Sequence, residues 1–145
     1  SGRVLDRKGT PLGNTVVEIW QGDGNGIYLH PGGGDRKKID KNFQGYGRFL
    51  TGSKGEYYFR TLKPVPYPGR TPHIHVAVQV KGQKKFSTQC YIKGDPRNDR
   101  DFIFKRISDP KVKESISVDF KPIPGTRTGE LAGQFDVVLG YTPPA

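Results

Sequence analysis

Pro64-Val65-Pro66-Tyr67-Pro68-Gly69-Arg70-Thr71-Pro72-His73-Ile74-His75-Val76-Ala77-Val78-Gln79-Val80 is the stretch from which the fold is read. A proline-stiffened lead-in carries one tyrosine and one arginine, and it runs into a β-branched segment that starts with two histidines at i, i+2. On a strand alternate side chains share a face, so His73 and His75 point the same way, about 6.6 Å apart along the backbone. Two imidazoles at that separation can lean onto one metal ion. Ile74, Val76 and Val78 give no strict apolar/polar alternation with their neighbours, which predicts a strand covered on both faces.

Outward from this strand the chain repeats one pattern. Short runs such as Arg3 to Leu5, Thr15 to Trp20, Phe49 to Thr51, Glu56 to Leu62, Phe86 to Ile92, Ile116 to Phe120 and Gly133 to Tyr141 read as strands. The 20 glycines and 12 prolines fall between these runs rather than in one block, and so mark turns. Gly52-Ser53-Lys54-Gly55 reads as the turn of a hairpin between two of them. Only Phe102 to Ile107, in a charged segment, suggests a short helical turn. Seven or so strands without a long helical period predict an all-β single-domain β-sandwich over residues 1–145, with long loops gathered at its ends to form the metal site.

The net charge of +10 is spread over small basic groups, among them Arg36, Lys37 and Lys38, and Lys84 and Lys85. No nucleic-acid recognition motif accompanies them, so nucleic acid is not the expected partner. No apolar run approaches the roughly 20 residues of a membrane helix. The single cysteine, Cys90, excludes an internal disulfide and is expected in the core. The chain opens on Ser1-Gly2-Arg3-Val4-Leu5 as if inside a first strand. The expectation is therefore an N-terminal part lying outside this sequence, with the compartment open.

A metal held by His73 and His75 still needs ligands, and tyrosines on nearby loops could supply them. Tyr67 sits in the lead-in, and Tyr28 on the glycine-rich run after Trp20. Phenol has a pKa of about 10, so holding a phenolate at neutral pH costs about 4 kcal/mol per tyrosine unless a strongly acidic cation offsets it. Ferric iron meets that demand, whereas zinc ordinarily settles in Cys, His or carboxylate sites. A divalent ion on the histidines without tyrosine is the alternative at this point. Tyr46, Tyr57, Tyr58, Tyr91 and Tyr141 read as packing residues, and His30 as an exposed loop residue beside Tyr28.

An ordered series of fragments carries a family resemblance. It comprises Ser1-Gly2-Arg3-Val4, Val17-Glu18-Ile19-Trp20-Gln21, Asn25-Gly26 before Tyr28, Asn42-Phe43, Gly45-Tyr46-Gly47-Arg48, Tyr58-Phe59-Arg60-Thr61, Lys63-Pro64, Pro66-Tyr67-Pro68, Pro72-His73-Ile74-His75, and Gln89 with Gly94-Asp95. In this order they resemble the intradiol ring-cleavage dioxygenases, nearest to the protocatechuate 3,4-dioxygenase group. The resemblance implies Fe(III) held by Tyr28, Tyr67, His73 and His75 with a hydroxide, Tyr67 and His75 being axial. It implies cleavage of catechol-type rings between the hydroxyls by O2 to muconate-type diacids, with Tyr67 leaving the metal as substrate binds. Arg70 would face the ring, and Gln89 would orient Arg70 or the substrate.

Two departures stand out. Gly69 replaces a bulky tryptophan expected two residues beyond Tyr67, and the Tyr67–Arg70 segment is shorter, which implies a more open site. The helical N-terminal region that forms a dimer interface in catechol 1,2-dioxygenases has no counterpart here, so a homo-oligomer is possible but not implied. The competing function is a non-catalytic transthyretin-like or pilin-like β-sandwich binding module with structural histidines.

Overall fold

The structure, a computed structural model, describes residues 1–29 and 32–145, so the reading of His30 lies outside the described residues. Strands β1 (Gly2–Leu5), β2 (Val16–Trp20), β3 (Tyr46–Leu50), β4 (Glu56–Tyr57), β5 (His73–Gln79) and β6 (Phe86–Ile92) come first. They are followed by helix α1 (Pro110–Ser115) and by the two-residue strands β7 (Ser117–Val118), β8 (Lys121–Pro122), β9 (Leu131–Ala132) and β10 (Val137–Val138). The larger sheet runs β3-β2-β5-β6-β7, the smaller β10-β1-β4, and β8 pairs with β9. The fold is all-β, as expected.

The two main sheets share one core. Val4 and Val137 from the smaller sheet meet Val17, Ile19, Ile74, Val76 and Val78 from the larger one. In β2 the alternation is regular, with Val17 and Ile19 inward. In β5 both faces are covered: Ile74, Val76 and Val78 enter the core, while His73 and Ala77 are buried on the other face. That second face carries the site. Register places Trp20, His75 and Gln89 in one row across β2, β5 and β6, and His73 beside Tyr91.

Several expectations need correction. The turn at Gly52 to Gly55 forms, with the Gly55 amide on the Gly52 carbonyl, but it does not join a hairpin. β3 pairs with β2, whereas β4 pairs with β1, so the turn passes the chain from one sheet to the other. Thr51 explains the departure. Its hydroxyl donates to the Leu12 carbonyl and accepts from the Thr15 amide, which pins the end of β3 to the connection before β2. The run Glu56 to Leu62 yields only two strand residues, and the prolines beyond it lack the N–H a longer ladder needs. The runs at 116–120 and 133–141 shorten likewise to β7 and β10.

Helix α1 was not anticipated, although its start is signalled: Asp109 caps it by accepting from the Lys111 amide, and Pro110 opens its first turn. The expected helical turn is a 3-10 turn at Phe104–Arg106. Tyr57 and Tyr91 are buried, but Tyr46, Tyr58 and Tyr141 are about half or more exposed, so those three do not pack the core. Cys90 is buried in the core, and burial pushes its thiol up to about 12.

Candidate metal centre

Three separate pieces of chain deliver the site. The first is the loop after β2, wound around Asp23. The Asp23 carboxylate accepts the amides of Asn25 (2.8 Å), Ile27 (3.0 Å) and Asp40 (2.6 Å). Burial works against that charge, but the Asp40, Ile27 and Asn25 amides outweigh it and hold the carboxyl below its ordinary range. Gly26 turns the loop with φ +75°, and a Cβ there would stand 3.2 Å from the Tyr67 Cβ. Glycine therefore serves both the left-handed turn and the close approach of two loops. Two residues on, Tyr28 enters the interior.

The second piece is the turn Tyr67-Pro68-Gly69-Arg70. Proline followed by a glycine at φ +83°, with the Arg70 amide 3.0 Å from the Tyr67 carbonyl, closes a tight four-residue turn. It accounts for the short segment seen in the sequence, and it sets Tyr67 and Arg70 on either side of one narrow hinge. The third piece is β5 with its neighbours, carrying His73, His75 and Gln89.

These pieces bring four donor atoms together. Tyr28 Oη lies 3.3 Å from Tyr67 Oη and 3.3 Å from His75 Nε2. His73 Nε2 lies 3.2 Å from Tyr67 Oη and 3.2 Å from His75 Nε2. The contacts close a ring in which Tyr67 and His75 occupy opposite corners. A point equidistant from atoms with such spacings sits roughly 2.0–2.3 Å from each, which is the range of metal bonds to nitrogen and oxygen. The residues thus fit a single ion. Among the described residues no three His, Cys, Asp or Glu side chains converge, so an ion on the histidine pair would draw its other protein ligands from the phenols.

The surroundings prepare the donors. His73 Nδ1 lies 2.7 Å from the Thr71 carbonyl, an acceptor, so Nδ1 carries the proton and Nε2 presents its lone pair to the ring. Burial pushes the His73 imidazole down to about 4 against the opposing effect of that hydrogen bond, so it is neutral at pH 7. The indole of Trp20 stacks on His75, with centroids 5.0 Å apart and planes within 3°. Burial and then the hydrogen bond to Tyr67 push the Tyr28 phenol well above its usual value, so it keeps its proton unless a cation compensates.

Arg70 and Gln89 stand beside the ring. Arg70 donates from Nε to Asp101 (2.8 Å) and from Nη2 to Gln89 Oε1 (2.6 Å), and Gln89 Oε1 also accepts from the Tyr91 hydroxyl (2.8 Å). Burial opposes the Asp101 charge, yet Arg70 and the Phe104 and Thr71 amides hold its carboxyl below the ordinary range. Gln89 Nε2 is 3.5 Å from His75 Nδ1, too long to fix that imidazole. Two clefts, of about 660 and 710 Å³, have none of the four donor residues in their walls.

The expected site residues Tyr28, Tyr67, His73, His75, Arg70 and Gln89 therefore gather in one place. Sequence reading missed Asp101, Trp20, Asp23 and the polar part of Tyr91. Tyr91 was within reach, since it lies two residues from Gln89 and shares its face. Trp20 is visible only once register pairs it with His75. Asp101 sits in the charged segment after β6, where nothing in the sequence marks it.

Comparison with known proteins gives the family. A protein-family model described as Dioxygenase matches residues 1–140. The protocatechuate 3,4-dioxygenase beta chain of Burkholderia cepacia is 35% identical over 148 residues, covering 96% of this chain and 62% of the relative. The dioxygenase domain of a dioxygenase carbohydrate-binding protein fusion from Streptomyces sp. SirexAA-E superposes with a TM-score of 0.73 at 33% identity, over 95% of this chain and 75% of that one. Catechol 1,2-dioxygenase from Acinetobacter sp. ADP1 gives a TM-score of 0.74 at 26% identity, over 94% of this chain and 50% of that one. The chain thus spans less than two thirds of the Burkholderia relative and half of the Acinetobacter structure. With the match running almost end to end through this sequence, the chain belongs to the intradiol ring-cleavage dioxygenase family.

Proposed function

We propose that this chain is a ferric-iron domain that opens catechol-type rings between their two hydroxyls. Both atoms of O2 enter the product, so catechol plus O2 balances to a muconate-type diacid with no other reductant. The observation that carries the reading is the closed ring of Tyr28, Tyr67, His73 and His75 donor atoms at 3.2–3.3 Å. Two phenols and two imidazoles suit a hard, strongly acidic cation better than zinc or a divalent alkaline earth. Bound ferric iron would keep phenol and catechol oxygens anionic at neutral pH and draw electron density from the ring, opening it to dioxygen.

The chain's own groups divide the remaining work. Tyr28 is buried, and its loop is fixed by Asp23, so it would hold the ion whether or not substrate is bound. Tyr67 is less buried and sits on the four-residue turn, which suits it to leave as substrate arrives and to carry one catechol proton away on its Oη. Tyr67 and His75 would hold the ion from opposite corners of the ring, as Tyr28 and His73 would from the other two. His73 holds its proton on Nδ1 against Thr71 throughout. Arg70, held by Gln89 and Asp101, stabilises charge developing on the ring, and being fixed in advance it needs little reorganisation. Gly69 leaves the wall beside Tyr67 open, which favours a broad range of ring substituents.

The test is oxygen uptake by iron-loaded protein with catechol, protocatechuate and hydroxyquinol, with products identified. One O2 consumed per diacid, with two of the four carboxyl oxygens labelled from 18O2, is the expected result. Extradiol products, or no uptake by folded protein that has taken up iron, would overturn the proposal.

A further inference from the structure

Asp101 is the most heavily engaged carboxylate near the site and has no part in holding a metal. Its side chain is fully buried, and that of Arg70 is 10% exposed. Oδ2 accepts from Arg70 Nε at 2.8 Å and from the Thr71 amide at 3.1 Å, while Oδ1 accepts from the amides of Ile103 and Phe104 at 3.0 Å each. One carboxylate thus ties the entry to β5 to the 3-10 turn that follows. The next residue, Phe102, lays its ring 5.4 Å from the Arg70 guanidinium carbon. With Nε on Asp101, Nη2 on Gln89 and the Phe102 ring against it, the guanidinium has one orientation. It also has a full counter-charge at contact distance in a buried setting, where such charges are weakly screened.

We propose that Asp101 is a positioning residue that both aims Arg70 and cancels its charge, so that Arg70 meets the substrate ring as an oriented donor and not as a receptor for a carboxylate substituent. This rests on the ring-cleaving function proposed above. Its consequence is a rule of selectivity: the pair Arg70–Asp101 is neutral, so it gives carboxylated catechols no preference over uncharged ones. Removing the negative charge alone turns Arg70 into an uncompensated cation beside the ring. The variant should then favour the carboxylated substrate, although its overall efficiency falls because the guanidinium is less well aimed.

The experiment compares kcat/KM for protocatechuate and for catechol in iron-loaded wild type, Asp101→Asn, Arg70→Ala and the double variant. The same comparison is made with anaerobic dissociation constants from the visible band. In Asp101→Asn the protocatechuate-to-catechol ratio should rise about tenfold. In the double variant the ratio should match that of Arg70→Ala. A ratio within about twofold of wild type, or a rise that persists without Arg70, would overturn the proposal, since a merely structural Asp101 would lower both substrates alike. A second measurement needs neither the variant nor iron: the Arg70 Nε–H proton of the wild-type protein should exchange slowly by NMR. Exchange as fast as that of exposed arginines would also refute the pairing. If wild type cleaves neither substrate, the function proposal fails, and the exchange measurement alone decides whether Asp101 grips Arg70.

Discussion

Replacing Asp23 by alanine tests whether the Tyr28 loop is held as described. Asp23 is 3% exposed and accepts three backbone amides. The Ile27 amide is buried, so losing its acceptor should cost the full penalty of an unmet donor, about 1–3 kcal/mol. The Asn25 and Asp40 amides are part-buried and can turn to water, losing about 0.5–1.5 kcal/mol each. The sum is about 2–6 kcal/mol, which falls within what a domain of ordinary stability can lose before it unfolds. Urea unfolding of the iron-free protein at pH 7 measures it. The Asp23 carboxyl lies below its ordinary value, so its contribution is complete above the unfolded carboxyl value of about 4 and fades as pH falls through the lower folded value. The gap between wild type and variant should therefore narrow in acid. Because Tyr28 follows on the same loop, the variant should also bind iron more weakly. A loss below about 0.5 kcal/mol, or a gap that widens as pH drops, would show that the loop is held by something else.

Other consequences can be checked independently. In iron-free protein His73 should keep its proton on Nδ1 and titrate only near pH 4, as 15N shifts would report; a midpoint near 6.5 would contradict the burial and tautomer argument, and the sign requires that its share of stability be lost as pH falls from about 6.5 towards 4. Trp20 is the single tryptophan and stacks on His75, so iron loading should quench most of the intrinsic tryptophan emission, and Trp20→Leu should weaken iron binding a few-fold through loss of a stack worth about 0.5–1.5 kcal/mol. Unchanged emission on loading would count against the site. Gly69→Ala meets open space and should cost only the backbone strain of about 1–2 kcal/mol, whereas Gly26→Ala adds a crowded contact with Tyr67 and should cost more; the reverse order in a thermal melt would refute the loop geometry.

Much of this site was legible in the sequence because its donors sit in short, regular contexts. His-x-His on a β-branched run fixes a shared face without further information, and the proline-stiffened lead-in marks Tyr67 as standing on a loop beside it. β6 emerged with the expected boundaries because its apolar run is bounded by turns and pairs on both sides. What stayed hidden depends on distant partners. The destination of the chain after Gly55 is decided by pairing with Gly2 and Arg3, more than 50 residues earlier, and no local pattern carries that choice. Asp101 reads like any surface acid until folding places Arg70 against it. Tyr46 and Tyr58 share the composition of core tyrosines but fall on outward positions.

Two phenol oxygens and two imidazole nitrogens holding one ferric ion would give the protein a colour. The visible spectrum of the iron-loaded protein tests it most directly, read for wild type, Tyr28→Phe and Tyr67→Phe in parallel. Wild type should show a broad tyrosinate-to-iron band that shifts when catechol is added without oxygen, and each phenylalanine variant should shift or lose it. A colourless loaded protein, or a band indifferent to both substitutions, would contradict the account.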